Sequence, residues 1–221
     1  MNDGIVALLL QWLFLCIVWM GLADRLLAKM KVKRSTVLVI VTCFLLTGFA
    51  EWKLYFYPAI VNVSGFLLPL AVAALIWSGN SSSLQERSRL FLGALILIFS
   101  LVFLRKIIFW NPVLLLLDEK ILIPLITISL CFFLARHLLH HVFYLTAVLP
   151  ISDAIYQLSF VSLTNQASMG GAYLQDLLWV CIAAVAVLYP VFSLAMNGGA
   201  RGYQFVSMIV RKIINQKQTG E

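Results

Sequence analysis

The sequence predicts an all-α, polytopic integral membrane helix bundle of about seven transmembrane helices, closed by an amphipathic interfacial helix at the C-terminus. Three observations predict it. Of 221 residues, 62% are hydrophobic and only 11% are charged, where a soluble domain carries about 25% charged residues. Long uncharged runs recur from end to end, many near the roughly 20 residues that cross a hydrocarbon core of about 30 Å. The basic residues behind the net charge of +7 collect between alternate runs. That is a membrane-topology pattern and excludes a nucleic-acid footprint.

The first span, 4–23, ends in Gly21-Leu22-Ala23, which looks like a signal-peptidase site. Met1-Asn2-Asp3 before it carry no positive charge, and Arg25, Lys29, Lys31, Lys33 and Arg34 follow it. The run therefore reads as an uncleaved span with its N-terminus outside. The second span, 36–54, closes on Glu51, Trp52 and Lys53, with Tyr55, Phe56 and Tyr57 behind them. Aromatics around a charge pair mark the water–lipid interface. Pro58 opens the third span, 58–77, as a first-turn proline; Asn62, Ser64 and Gly65 lie inside it.

The polar linker SGNSSSLQERSR (78–89) leads to a fourth span, 90–104, which Arg105-Lys106 terminates. Residues 107–117, IIFWNPVLLLL, are too few to cross as a helix and read as a re-entrant or interfacial segment. Spans 121–135, 142–163 and 177–196 complete the seven, the last with a kink at Tyr189-Pro190. Residues 1–200 thus form one membrane domain. In the tail, 201–221, Val206, Ile209, Val210 and Ile213 make an apolar stripe beside Arg211, Lys212 and Lys217. That pattern predicts a helix lying on an anionic cytoplasmic leaflet.

Charge orients the bundle. With the N-terminus outside, the cytoplasmic segments hold Arg25, Lys29, Lys31, Lys33, Arg34, Arg87, Arg89, Arg136, Arg201, Arg211, Lys212 and Lys217. The outer segments hold Lys53, Arg105, Lys106 and Lys120. The positive-inside rule then puts the C-terminus in the cytoplasm of a multi-pass cell-membrane protein. No internal repeat of the transporter kind is visible.

No GxSxG, Walker A, HExxH or GxGxxG motif is present, which argues against an enzyme and against a bound cofactor. Cys16, Cys43, Cys131 and Cys181 sit singly inside apolar runs and read as small hydrophobes. His137 and His141 have i, i+4 spacing, which on a helix lets two imidazoles share a metal. No third ligand lies near them in sequence, so a polar headgroup turn is the better reading and no metal is assigned.

The strongest chemical signal is Asp153, at the centre of the sixth span. An ionised Asp at mid-membrane costs about 2.5–3.5 kcal/mol on insertion scales. Thr146 and Gln157 share its helical face, and no Lys or Arg lies at mid-span to pair with it. Without a cation, desolvation favours the protonated acid. It then reads as a neutral hydrogen-bonded pin to a group such as Asn62, or alternatively as a proton or cation relay. As a pin, it predicts that Asp153→Asn keeps the fold nearly intact.

At the outer segment, FWNPVLLLLDEKIL resembles the middle of the small YphA-type bacterial membrane proteins. Asn111, Pro112, Val113, Leu115 and Asp118 carry the likeness over about a third of the chain. The resemblance implies a bacterial cytoplasmic-membrane protein from a family without an assigned activity, and it transfers no catalytic residue. In the same segment, Asn111, Pro112 and Asp118 form a candidate interfacial site. The favoured function is a membrane-embedded interaction or scaffold protein, whose partners are the lipid bilayer and other membrane proteins and not nucleic acid. The alternative is a small proton-coupled transporter or channel built on Asp153.

Overall fold

The computed structural model describes residues 3–79, 84–111, 118–135 and 137–192. The described helices are α1 (Ile5–Trp19), α2 (Asp24–Met30), α3 (Arg34–Phe49), α4 (Leu68–Gly79, entered through a π-helical turn Val63–Leu67), α5 (Leu84–Trp110), α6 (Glu119–Leu134), α7 (Leu138–Leu158), α8 (Val161–Thr164) and α9 (Ala172–Phe192). Three strands, β1 (Lys53–Phe56), β2 (Ala59–Asn62) and β3 (Ala167–Met169), complete them. By compactness the chain forms two units, Met1–Ala183 and Ala184–Glu221. Of the second, only 184–192, the last turns of α9, are described. The amphipathic segment expected at 201–221 lies outside the described residues.

The helices are apolar and all-α in the expected manner. Three of them, α5, α7 and α9, are long and apolar enough to cross a membrane alone. The pair α1 and α2 passes the same test together, bent by 89° at the break. At 1.5 Å per residue the 16 residues of α3 span about 24 Å, short of a core of about 30 Å. The segment Val63–Gly79 is a shorter apolar helix of the same kind.

α7 is central: 13 of its 21 residues are buried. It packs on α5, and Leu97 and Leu101 of α5 and Leu145 and Leu149 of α7 are all at most 1% exposed. Gly93 of α5 lets the helices approach, because a Cβ there would run into the Tyr144 hydroxyl. Phe99 and Phe103 of α5 are 72% and 67% exposed. Apolar residues so exposed on a helix this hydrophobic are a lipid-facing surface.

The expected helical span from Pro58 is corrected. Residues 53–62 form a β-hairpin instead, with Tyr57 and Pro58 at its turn. Tyr55, Phe56, Ile60 and Val61 are aromatic or β-branched and favour extended backbone. Pro58 contributes its carbonyl, which accepts the Ala167 N–H at 2.9 Å and starts the parallel pairing of β2 with β3. The sheet order is β1-β2-β3.

The fourth span is longer than expected: α5 runs through Arg105-Lys106 to Trp110. Residues 107–110 are therefore helical and neither re-entrant nor a separate interfacial segment. Arg and Lys are good helix formers, and nothing in the backbone stops the helix at a charge whose partner lies on a neighbour. Residues 112–117 lie outside the described residues.

The turn into α4 and the turn before α9 meet backbone to backbone. A Cβ on Gly65 would collide with the Gly170 carbonyl, and Gly170 itself adopts φ +74°. Adjacent Gly171 has open space around it. Gly65→Ala is therefore expected to lower stability by about 1–3 kcal/mol through overpacking, while Gly171→Ala leaves it nearly unchanged. Thermal unfolding of the two variants in detergent checks this; equal midpoints would refute the close approach.

Candidate functional site

The candidate site is built around Asp153. α7 starts at Leu138 and ends at Leu158, so Asp153 is the sixteenth of its 21 residues. It lies about 7.5 Å from the helix end at 1.5 Å per residue, nearer that end than the sequence implies. It is also paired, which corrects the expectation of an acid with no cation beside it. Arg105 Nη1 donates to Asp153 Oδ1 at 2.9 Å, and both side chains are buried, at 7% and 4% exposure. The other oxygen, Oδ2, accepts the Gly170 N–H at 3.3 Å.

Arg105 is enclosed from several sides. Its Cζ lies 4.8 Å from the Tyr156 ring centroid and 5.5 Å from that of Tyr173, within the range of cation–π attraction. Its Nε faces the Glu119 carboxylate at the start of α6, at 3.5 Å, too long for a strong hydrogen bond. The Tyr173 hydroxyl lies beside Arg105 and Glu119 without meeting either at hydrogen-bond geometry. Phe160 packs on Tyr156 at 5.0 Å and on Phe109 at 4.7 Å. The ion pair thus ties α5, α6, α7 and the turn before α9.

The other sequence-predicted residues go elsewhere. Asn62 does not reach Asp153 as a hydrogen-bond partner. Its Oδ1 accepts the N–H groups of Ser64 and Gly65 at 3.0 and 3.4 Å, capping the turn into α4. Because Gly65 abuts Gly170, Asn62 and Asp153 brace one junction from opposite sides. Thr146 lies two turns away, and its hydroxyl donates to Val142 O at 2.8 Å and Phe143 O at 3.3 Å. Gln157 is half-buried.

Asp118 caps α6 through the Lys120 N–H at 3.1 Å. Asn111 ends α5 with its N–H on Ile107 O, and Pro112 lies outside the described residues. The histidines do not form the i, i+4 helical pair. His137 is extended and precedes α7 as its N-cap; the His141 ring donates from Nδ1 to its carbonyl at 2.8 Å. Among the described residues no group of three His, Cys, Asp or Glu side chains could hold a metal ion.

Two polar features escape a reading of the sequence. Asp176 accepts the Gly4 N–H at 2.8 Å and the Ala7 N–H at 2.7 Å. It places an anion at the positive end of α1, where unpaired N–H groups need one. Beside it, Lys120 Nζ meets Asp3 at 2.6 Å. Between these segments and the sheet opens a cavity of about 310 Å³ whose lining includes Asp3, Glu51, Lys53, Asn62, Ser168 and Gln175. The Lys53 ammonium is held to Glu51 at 3.0 Å, and that contact raises its pKa above the ordinary lysine value. Arg105, read from the sequence as a helix terminator, had one visible signal. It is an Arg in an apolar run, opposite in charge to the one Asp in another.

Removing one partner of a buried pair leaves an uncompensated charge and costs about 3–5 kcal/mol. Asp153→Leu is expected to approach the lower figure, because Glu119 still faces Arg105. The double variant Arg105→Met/Asp153→Leu should recover most of the loss, since apolar replacement of both partners is often neutral. Denaturation of wild type, both single variants and the double variant in detergent measures this coupling. Additive single effects would refute a cooperative pair.

Comparison with known proteins adds one relationship. No curated protein and no solved structure matches the chain. The family model of YphA-like integral membrane proteins matches residues 3–218, nearly the whole length. With apolar helices of spanning length and a lipid-facing periphery beside that match, the chain belongs to the YphA-like integral membrane protein family.

Proposed function

We propose that this protein is a membrane-embedded interaction or scaffold protein, not an enzyme, acting in the cell membrane through helix and lipid contacts. One observation carries the reading. Both oxygens of Asp153 are engaged, one by Arg105 and one by the Gly170 N–H. A relay carboxylate must exchange its proton with a carrier, and here one oxygen is already held by an arginine at 2.9 Å and the other by a backbone N–H. The acid that suggested proton-coupled transport is thereby better explained as part of the bundle's architecture.

The proposal includes seven passes, with the N-terminus outside and the C-terminus cytoplasmic. Pairing between ends supports it. Residues near 3, 53–62, 105–111, 118–120 and 153–176 meet at one end through the sheet, the Asp3–Lys120 pair, Asp176 at α1 and the Arg105 cluster. At the start of α5 and α7, Glu86 and His140 face each other at 3.8 Å. Segments α1, α3, α4, α5, α6, α7 and α9 therefore alternate in direction. The short ones complete their crossing with adjoining interfacial residues or local bilayer thinning.

Cysteines introduced at Ser82 and Ser168, in a background without the four native cysteines, test the orientation. An impermeant reagent on intact cells should label Ser168→Cys and spare Ser82→Cys; the reverse would overturn it. For function, the double variant Arg105→Met/Asp153→Leu is expressed in a deletion strain. A scaffold keeps its cellular activity in proportion to folded protein. Loss of activity in a double variant that folds and inserts normally would favour transport.

A further inference from the structure

At the end opposite the ion pair, α1 breaks and α2 turns away from it by 89°. A bend of this size lays α2 across the bundle instead of along it. Its inner face is apolar: Leu27 is buried at 3% exposure and packs with Val18 and Ala23, against Phe14, Met30, Val37 and Leu38. Its outer face and the turn into α3 expose Arg25, Lys29, Lys31, Lys33 and Arg34 against a single carboxylate, Asp24. Among the described residues none of these five cations meets a carboxylate at ion-pair distance.

Directly behind this basic turn lies a cavity of about 150 Å³. Leu27, Met30 and Val32 line it on the α2 side, and Phe44, Val72 and Trp179 line it deeper in. Thr146 is its one polar lining residue, and the Thr146 hydroxyl is turned onto its own helix. Cavities of about this size with apolar walls stay dry and take apolar guests. Val32 lines the cavity while its neighbours Lys31 and Lys33 are exposed at the rim.

We propose that this cavity and its rim form a site for an anionic phospholipid. Part of an acyl chain fills the apolar space, and the phosphate is held by Lys31, Lys33 and Arg34. An apolar space fits a hydrocarbon chain, and unpaired cations at the headgroup level fit an anionic lipid phosphate. Neither half alone selects such a lipid. The site belongs to the leaflet that faces the basic turn; only its naming as cytoplasmic rests on the orientation proposed above.

Trp179 is a built-in probe, 4% exposed and lining the cavity. The full chain is made with Trp12, Trp19, Trp52, Trp77 and Trp110 replaced by Phe, and placed in phosphatidylcholine vesicles. Brominated phosphatidylglycerol or brominated phosphatidylcholine is titrated in as a chain-borne quencher. The site predicts that Trp179 is quenched at a several-fold lower mole fraction of the anionic lipid. Lys31→Glu/Lys33→Glu, both at exposed positions, should erase that preference without lowering the thermal midpoint.

A parallel variant that keeps only Trp12, 49% exposed on α1, reports bulk lipid and should show no preference. Inorganic phosphate at millimolar concentration should not relieve quenching of Trp179, since a free anion lacks the chain. Absence of quenching at Trp179 would overturn occupancy of the cavity. Equal quenching by both lipids, or a preference that survives the charge reversal, would overturn anionic selection. Relief by phosphate alone would replace the lipid with a soluble anion.

Discussion

The ion pair between Arg105 and Asp153 is the constraint on which the rest of this bundle depends. Two charges removed from water each cost several kcal/mol, and only close pairing with further hydrogen bonds offsets that cost. Here the requirement dictates geometry. α5 must continue past its apolar stretch to bring Arg105 level with Asp153. The turn before α9 must bring the Gly170 N–H to the second carboxylate oxygen. Gly170 can do so with φ +74° and no side chain, and Gly65 leaves its backbone room. The cation is covered by Tyr156 and Tyr173, whose faces attract it without needing water.

Around that pair the bundle has two unlike ends. The end with the sheet is laced by polar contacts that close backbone groups the helices leave open. Asp176 serves α1, Asp118 serves α6 and Asn62 serves the turn into α4. Strand pairing satisfies residues 53–62, where a short apolar helix would otherwise end with bare carbonyls. The exposed rings of Tyr55, Phe56 and Tyr57 fit the amphipathic layer between water and hydrocarbon. The opposite end has few such contacts among the described residues and instead exposes the basic turn around α2.

This asymmetry shapes the functional reading. An intramembrane acid is ordinarily a functional residue by default. Here its bonding partners tie four segments of one end together. In the scaffold reading proposed above, the polar-braced end and the basic end with its apolar recess are what meet lipids and neighbours. The cavity of about 310 Å³ beside the sheet gives the braced end a concave polar surface as well, at the small end of ligand-sized pockets.

Class and composition were legible in the sequence because they follow from local quantities. Apolar run lengths announced membrane helices, and residues 111–118 carried the family likeness that extends over 3–218. Asp153 stood out as an acid among apolar neighbours. What the sequence could not supply was anything set by a partner distant in the chain. Arg105 reads as a terminator until Asp153, 48 residues away, neutralises its cost of burial. Residues 58–62 read as the start of a helix until β3, over 100 positions later, offers them a strand to pair with. Asp176 looks like loop polarity until α1, 169 to 172 residues earlier, presents its open N–H groups. Apolar periodicity records how one segment meets lipid or water; the placing of charges and strands is decided by which segments come to lie side by side.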